Sequence, residues 1–355
     1  MASTAQINPS FEFMGADLVQ STDFLFSIQQ VLRPNFLDGI GIKRMAEDET
    51  HRINYFETPK LEQIPISDCR PHQLTGTKAK VKLLQIKATQ AVETYEHCDM
   101  LGIQGLALTV GELNTGTVNQ YIGALISGVN SQRVNNLYLQ FASELWFGQT
   151  KPNSALTPVL CNTAKAFQGL LPRIIEEDNG NAVMVVDNAW SSAALTAGAA
   201  KAKFDQLIAS SPIFRSVALG NGNGVSLRVH CTLAVWENLV ASLLETTVNT
   251  TNLLTYTVSG ELNGVYMYNG IMIQAHPEWD ILYNGANPNI MLMTLESETP
   301  LRMGLLSSAM SGAIINMFPR RYYNHDKKVD CIDYRYWYGL GTEIVNGETA
   351  IRLAY

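Results

Sequence analysis

An imidazole flanked by carboxylates can pass protons or hold a metal ion, and His276-Pro277-Glu278-Trp279-Asp280 groups such side chains within five residues. A metal site needs ligands that converge, whereas one histidine beside a proline in a loop-like stretch reads first as structure. The glycine-rich run Gly220 to Gly224 invites comparison with a phosphate loop. It lacks both the G-x-x-x-x-G-K-[ST] and the G-x-G-x-x-G layouts, and it precedes a strand instead of following one. It reads as a solvent-exposed turn. No G-x-S-x-G elbow marks a serine nucleophile. The five cysteines, Cys69, Cys98, Cys161, Cys231 and Cys331, are spaced too widely for a C-x-x-C ligand or redox pair and read as buried thiols in a reducing compartment. No catalytic constellation stands out, so the expectation is no enzyme, no metal and no cofactor. A soluble α+β enzyme with a site near His276 and Glu278 is the alternative from that class.

Two groups of basic residues remain. Lys78, Lys80 and Lys82 alternate with Ala79, Val81 and Leu83, the pattern of a strand with one wet face, where lysines also discourage edge-to-edge pairing. Arg320, Arg321, His325, Lys327 and Lys328 lie beside Tyr322 and Tyr323; basic and aromatic side chains together suit contact with a nucleic-acid backbone, but the cluster reads first as a solvated loop or a subunit-contact patch. We take Lys78, Lys80, Lys82, Arg320, Arg321, Lys327 and Lys328 as candidate inter-subunit contacts.

The elements that must position these groups can be followed along 355 residues, enough for one large domain or about two of ~150 residues. Residues 1–60 scatter Phe11, Phe13, Phe24, Phe26 and Phe36 on polar ground and have little core of their own. Pro59, Pro65, Pro71 and Gly76 suit an extended loop. Over 115–147 the apolar spacing Val118, Tyr121, Ile122, Leu125, Val129 and again Val134, Leu137, Tyr138, Phe141, Leu145 predicts helix. With Gly128 and Asn130 between the halves, this is one long kinked helix or two capped at Ser131, and we favour the long one. An Ala-rich helix is expected over 189–209, a buried strand over 225–233, a helix over 236–244, and a hairpin at Asn269-Gly270. Strands follow at 290–295, 301–306 and 349–354.

Composition narrows the role. With 25 Lys+Arg against 32 Asp+Glu the formal charge is −7, so the basic surplus of an indiscriminate nucleic-acid binder is missing. No window approaches the ~18 uninterrupted apolar residues of a membrane span. The first residues lack a basic stretch followed by an apolar one, so no secretory leader is expected. Charged residues make up only 16%, against about 25% in ordinary soluble domains. Charge is depleted at the buried centres of interfaces, so the composition fits a subunit that hides much of its surface in an assembly.

Several local runs, in order, resemble the major capsid protein of tailed bacteriophages, with the HK-ninety-seven-like capsid fold. Phe167-Gln168-Gly169-Leu170 resembles the F-x-G-[LI] run that follows the family's spine helix. Tyr268-Asn269-Gly270-Ile271-Met272-Ile273 with Pro277 is similar to its "Y-x-G-x-x-I … P" strand and loop. Met291 to Thr294 followed by Leu301-Arg302-Met303-Gly304 resembles its late strand pair, and Ile351 to Tyr355 its final strand. The first 100 residues match in general character only.

The resemblance implies an α+β fold with an N-terminal arm at 1–45, an extended loop region at 46–100, a peripheral domain with the spine helix at 101–165, an axial domain at 166–300 and peripheral return strands at 301–355. It implies a subunit that joins copies of itself as hexamers and pentamers in an icosahedral shell around double-stranded DNA, in a virion assembled in the host cytoplasm. Portal and separate scaffolding or decoration proteins are the further partners, and no membrane is involved. The 46–100 loop would span a neighbouring subunit. An encapsulin-like compartment is the alternative on the same fold.

Overall fold

The computed structural model describes residues 37–45, 49–56, 79–96, 139–149, 168–196, 198–220, 225–248, 265–268, 270–283, 286–306, 315–326 and 329–355. The residues before 37 in the expected arm, residues 59–77 of the expected loop, most of the helix expected over 115–147, Asn221 to Gly224, and Lys78, Lys327 and Lys328 lie outside the described residues.

A six-stranded sheet forms the centre, in the order β5 (Val185–Asp187), β13 (Ile351–Ala354), β9 (Met291–Leu295), β6 (Leu227–Cys231), β8 (Ile271–Ala275) and β7 (Val265–Tyr268). Strand β9 reads Met-Leu-Met-Thr-Leu and is buried at every position, because both faces of the sheet are covered. Met291, Met293 and Leu295 point to one core and Leu292 to the other. Side chains of this size contribute about 1.5–3 kcal/mol each on full burial.

Three helices cover the first face. Ala199–Ala209 contributes Phe204 and Leu207, Pro212–Ala218 contributes Phe214 and Val217, and Leu233–Val248 contributes Val235, Leu239 and Leu243 at four-residue spacing. Pro212 stops the first helix and starts the second, where its missing N–H and fixed φ suit position N1. The helical expectation for 189–209 holds for its second half. Asn289 Nδ2 donates to the carbonyls of Trp190 and Ala193 at 3.1 and 2.5 Å, and Trp190–Ser192 form only a 3-10 turn. Tertiary bonds to those carbonyls outweigh alanine's helix propensity there. The hairpin expected at Asn269-Gly270 pairs Tyr268 with Ile271, and Gly270 takes φ +79°; Asn269 itself lies outside the described residues.

The second face packs on residues 139–149, on the helix Leu170–Asp178 and on a five-stranded sheet. That sheet runs β1 (Ile40–Met45), β10 (Leu301–Leu306), β12 (Val329–Ile344), β11 (Ile315–Asn324), with β4 (Lys87–Glu96) also on β12. Leu301, Met303 and Leu340 meet Leu292, Ile351 and Leu353 across this core. The segment 301–355 is therefore shared between the sheets, because β13 leaves the five-stranded sheet and joins β9. Strands β2 (Thr50–Phe56) and β3 (Ala79–Gln85) form a separate antiparallel pair. The architecture is α+β. Among the described residues no helix is long and apolar enough to cross a membrane.

Candidate functional site

The β2–β3 pair meets the body over a patch of glycine. Gly304 on β10 and Gly341 on β12 are direct cross-strand partners. A Cβ on Gly341 would run into the carbonyl oxygen of Gln85, and one on Gly304 would touch Ile86, Met45 and Leu84 at 3.1 to 3.3 Å. Only a bare backbone lets the end of β3 lie this close to the sheet. Met45, Leu84 and Ile86, with Ile53 packed beside them, make a small apolar cluster over it.

Lys82 completes the joint from the same face of β3 as Leu84. Its Nζ donates to both oxygens of Glu177 at 2.8 and 2.7 Å and to the carbonyl of Ile344 at 2.6 Å, and lies 3.5 Å from Glu343. Arg173, one turn before Glu177, pairs with Glu343 at 3.3 Å and donates to Thr342 Oγ1 at 3.4 Å. Two cations thus face two carboxylates. Burial raises Glu177 above the usual carboxylate range, and the hydrogen bond and charge of Lys82 oppose that rise only partly. Such half-exposed pairs contribute about 0–1 kcal/mol, so the network fixes orientation more than it adds stability. The other face of β3 is apolar and open: Val81 is 55% exposed and Leu83 50%. The strand alternates as the sequence predicts, but the Lys82 side faces the body and the valine–leucine side faces outward. The cause is the acidic pair Glu177 and Glu343 beneath Lys82, which one strand's alternation cannot reveal.

The other expected contacts divide. Lys80 is exposed on β3. Arg320 and Arg321 stand in β11, paired in register with Asp333 and Ile332, and His325 is exposed at the following turn. The described part of the basic cluster thus stands at the end of β11, which pairs along its length with β12.

The His276 group folds inward. His276 follows β8 and precedes the short helix Pro277–Leu282, and neither it nor His230 has exposed surface. Its Nδ1 donates to Glu278 Oε1 at 2.8 Å, and its Nε2 lies 2.9 Å from His230 Nδ1 on β6. Asp280 turns away and accepts the Leu233 N–H at 2.7 Å, at the start of the Leu233–Val248 helix. The expected His-Glu-Asp grouping is thus two separate devices. Trp146 packs against both histidine rings, with centroids at 5.6 and 5.2 Å, and Trp279 stacks on His276 at 4.8 Å and 15°. Arg228, two residues before His230 and so on the same face of β6, pairs with Glu296 at 2.5 Å and lies 3.8 Å from Asp38. Arg228 and His230 are not among the residues singled out from the sequence, although two polar residues at spacing two inside Leu-Arg-Val-His-Cys were the available signal. Cys231 is a buried thiol, and burial raises its pKa further from reactivity. Among the described residues no three His, Cys, Asp or Glu side chains converge as a metal site.

No protein-family model and no curated protein matches this chain. Solved structures do. The capsid of the Myoviridae phage XM1 is 10% identical with a TM-score of 0.49, over 90% of this chain and 90% of that one. The capsid asymmetric unit of cyanophage Pam1 is 10% identical with a TM-score of 0.45, over 87% and 85%. A structure of Mycobacterium phage Ogopogo is 14% identical with a TM-score of 0.44, over 90% and 90%.

Proposed function

We propose that this chain is the major capsid protein of a tailed double-stranded DNA bacteriophage, joining copies of itself as hexamers and pentamers into an icosahedral shell. The observation that carries the reading is the β2–β3 pair. It is clamped to a closed two-sheet body through Gly304, Gly341 and Lys82, and it presents Val81 and Leu83 outward. Open apolar side chains on an anchored strand pair suit contact with a neighbouring subunit. The ordered sequence runs around Gly169, Gly270 and Leu301, and the low charge content, support the same reading.

In this role the chain is not an enzyme. The burial of His276 and Glu278 supports that, because a substrate cannot reach groups without exposed surface. The five-part division at 45, 100, 165 and 300 is the working map of arm, extended loop, peripheral and axial domains and return strands. Lys80, Arg320 and Arg321, with Lys78, Lys327 and Lys328, are proposed to meet neighbouring subunits. Packaged DNA, a portal and separate scaffolding or decoration proteins are the proposed partners, with assembly in the host cytoplasm before residence in the virion. An acidic subunit suits a container whose DNA must leave again.

Negative-stain electron microscopy of the chain expressed alone and with its neighbouring phage proteins, checked by sedimentation, tests the reading. Closed shells or regular tubes are expected, and native particles should protect DNA from nuclease. A monomer that persists under every assembly condition would overturn it.

A further inference from the structure

Glu278, His276 and His230 form one buried chain of hydrogen bonds with an open end. It runs from Glu278 Oε1 to His276 Nδ1 at 2.8 Å, then from His276 Nε2 to His230 Nδ1 at 2.9 Å. It stops at His230 Nε2, a buried nitrogen with no hydrogen-bond partner. Whichever ring carries the hydrogen between the two histidines, the far nitrogen of His230 is left without a hydrogen-bond partner. A further proton on the pair is poorly housed wherever it goes. It either sets two N–H groups against each other at the central bond, or leaves His230 Nε2 as a buried N–H without an acceptor, whether the charge rests on His230 or on His276 beside Glu278.

None of the surrounding charged groups hydrogen-bonds His230 Nε2. Among the described residues, Arg228 approaches from β6, tied to Glu296 and Asp38; Glu278 and Asp280 come from the helix Pro277–Leu282; and Glu144 is buried on the π-helical turn Ser143–Phe147. Of the carboxylates, Glu278 already holds His276 and Asp280 caps another helix. Burial first, then the nearby His276 and Arg228 charges, hold His230 well below the ordinary histidine value of 6.5.

The same place is a mechanical joint. Trp146, on the π-helical turn, packs on His230, His276 and Trp279 together. The next residues are tied to the helix Leu170–Asp178, because Gly169 N–H donates to Gly148 O at 2.7 Å. The Gly39 backbone also crosses His230 Nε2 so closely that a Cβ there would lie 3.3 Å from it. One histidine pair therefore touches the end of the 139–147 helix, the six-stranded sheet and the segment leading into β1.

We propose that the His230–His276 pair is an acid-sensitive latch that holds the 139–149 segment on the six-stranded sheet and releases it when the pair is protonated. A histidine held below its ordinary value takes up its proton only after the joint opens. The closed joint is therefore fully favoured above about pH 6.5 and loses ground as pH falls beneath it, by about tenfold in the open-to-closed ratio per pH unit. The latch acts within one folded chain and does not depend on the capsid reading.

Hydrogen–deuterium exchange of the full chain between pH 8 and pH 5, corrected for the intrinsic amide rate, reads this directly. Protection across 145–149 and 228–231 should fall about tenfold per pH unit below about 6.5. His230→Asn keeps a donor at the Nδ1 position without a titrating ring, and it should flatten that slope while leaving protection at pH 8 within a few-fold. His325→Asn, at the exposed turn after β11, should leave the slope in place. Should His230→Asn fail to fold, the wild-type slope and the His325→Asn control decide alone. Protection independent of pH in the wild type, an unchanged slope in His230→Asn, or a slope lost in His325→Asn would overturn the latch.

Discussion

Strands β9 and β3 carry similar apolar content and opposite consequences. Met291, Met293 and Leu295 enter one core and Leu292 the other, and Thr294 between them is buried too. Along β3, Leu84 finds a small cluster below it, while Val81 and Leu83 join no apolar cluster among the described residues and stand open. The first strand is a means of folding. The second is a surface held in place by other residues, Gly304, Gly341 and Lys82, whose part is to seat it. What separates the two is the layer count, since a strand roofed on both faces can spend every position on its own core.

The sharpest break of that contrast is a matched pair of truncations. Leu292→Ala removes a fully buried side chain at the junction of the two sheets and should cost about 2–5 kcal/mol by urea unfolding. Leu83→Ala should move the same midpoint by less than about 0.5 kcal/mol while reducing particle yield. Equal stability losses would show that the outer face of β3 is covered within its own chain.

A second variant isolates the seat of the pair. Gly341→Val puts a side chain where the Gln85 carbonyl already stands. The body should keep its cooperative unfolding, losing about 1–3 kcal/mol from the strained crossing, while limited proteolysis of β2–β3 accelerates. Unchanged proteolysis would mean that Lys82 and its carboxylates hold the strands without the glycine patch.

These residues also show what a single sequence makes legible. The hairpin at Asn269-Gly270 and the strand Leu301–Leu306 were legible because turn chemistry and alternation are local. The helix Leu233–Val248 was anticipated at its centre but extends beyond 236–244 on both sides, since its first residue is capped by Asp280, 47 positions away. The inward turn of Lys82 depends on Glu177 and Glu343, which approach from a different helix and a different sheet. His276 was legible as a residue of interest, but its partner was not, because His230 lies in another strand and only the parallel pairing of β6 with β8 brings them together. Local periodicity announces elements, and the sites arise where elements meet.

The smallest expected effect concerns the polar edge of the well-packed sheet. Glu296 is partly buried, which by itself raises its pKa, yet the hydrogen bonds of Arg228 and Ser226 and the charge of Arg228 outweigh burial and hold it below the usual 4.5. A carboxylate held low in the folded chain is ionised before its unfolded counterpart. Its contribution is therefore fully present above about pH 4.5 and disappears as pH falls through the folded value. Arg228 itself stays buried whether or not Glu296 is charged, so the substitution Glu296→Gln tests the pair and not the packing. It should lower stability at pH 7 by about 1 kcal/mol, the scale of a partly exposed ion pair, and the wild type and variant should converge as pH falls through the lowered folded value. If the difference shows no decline as pH falls from 4.5 into the range where the folded carboxylate is protonated, Glu296 acts through its shape and its bond to Ser226 instead of its charge. Arg228 would then be held mainly by Gln274, at 3.2 Å across the parallel pair of strands.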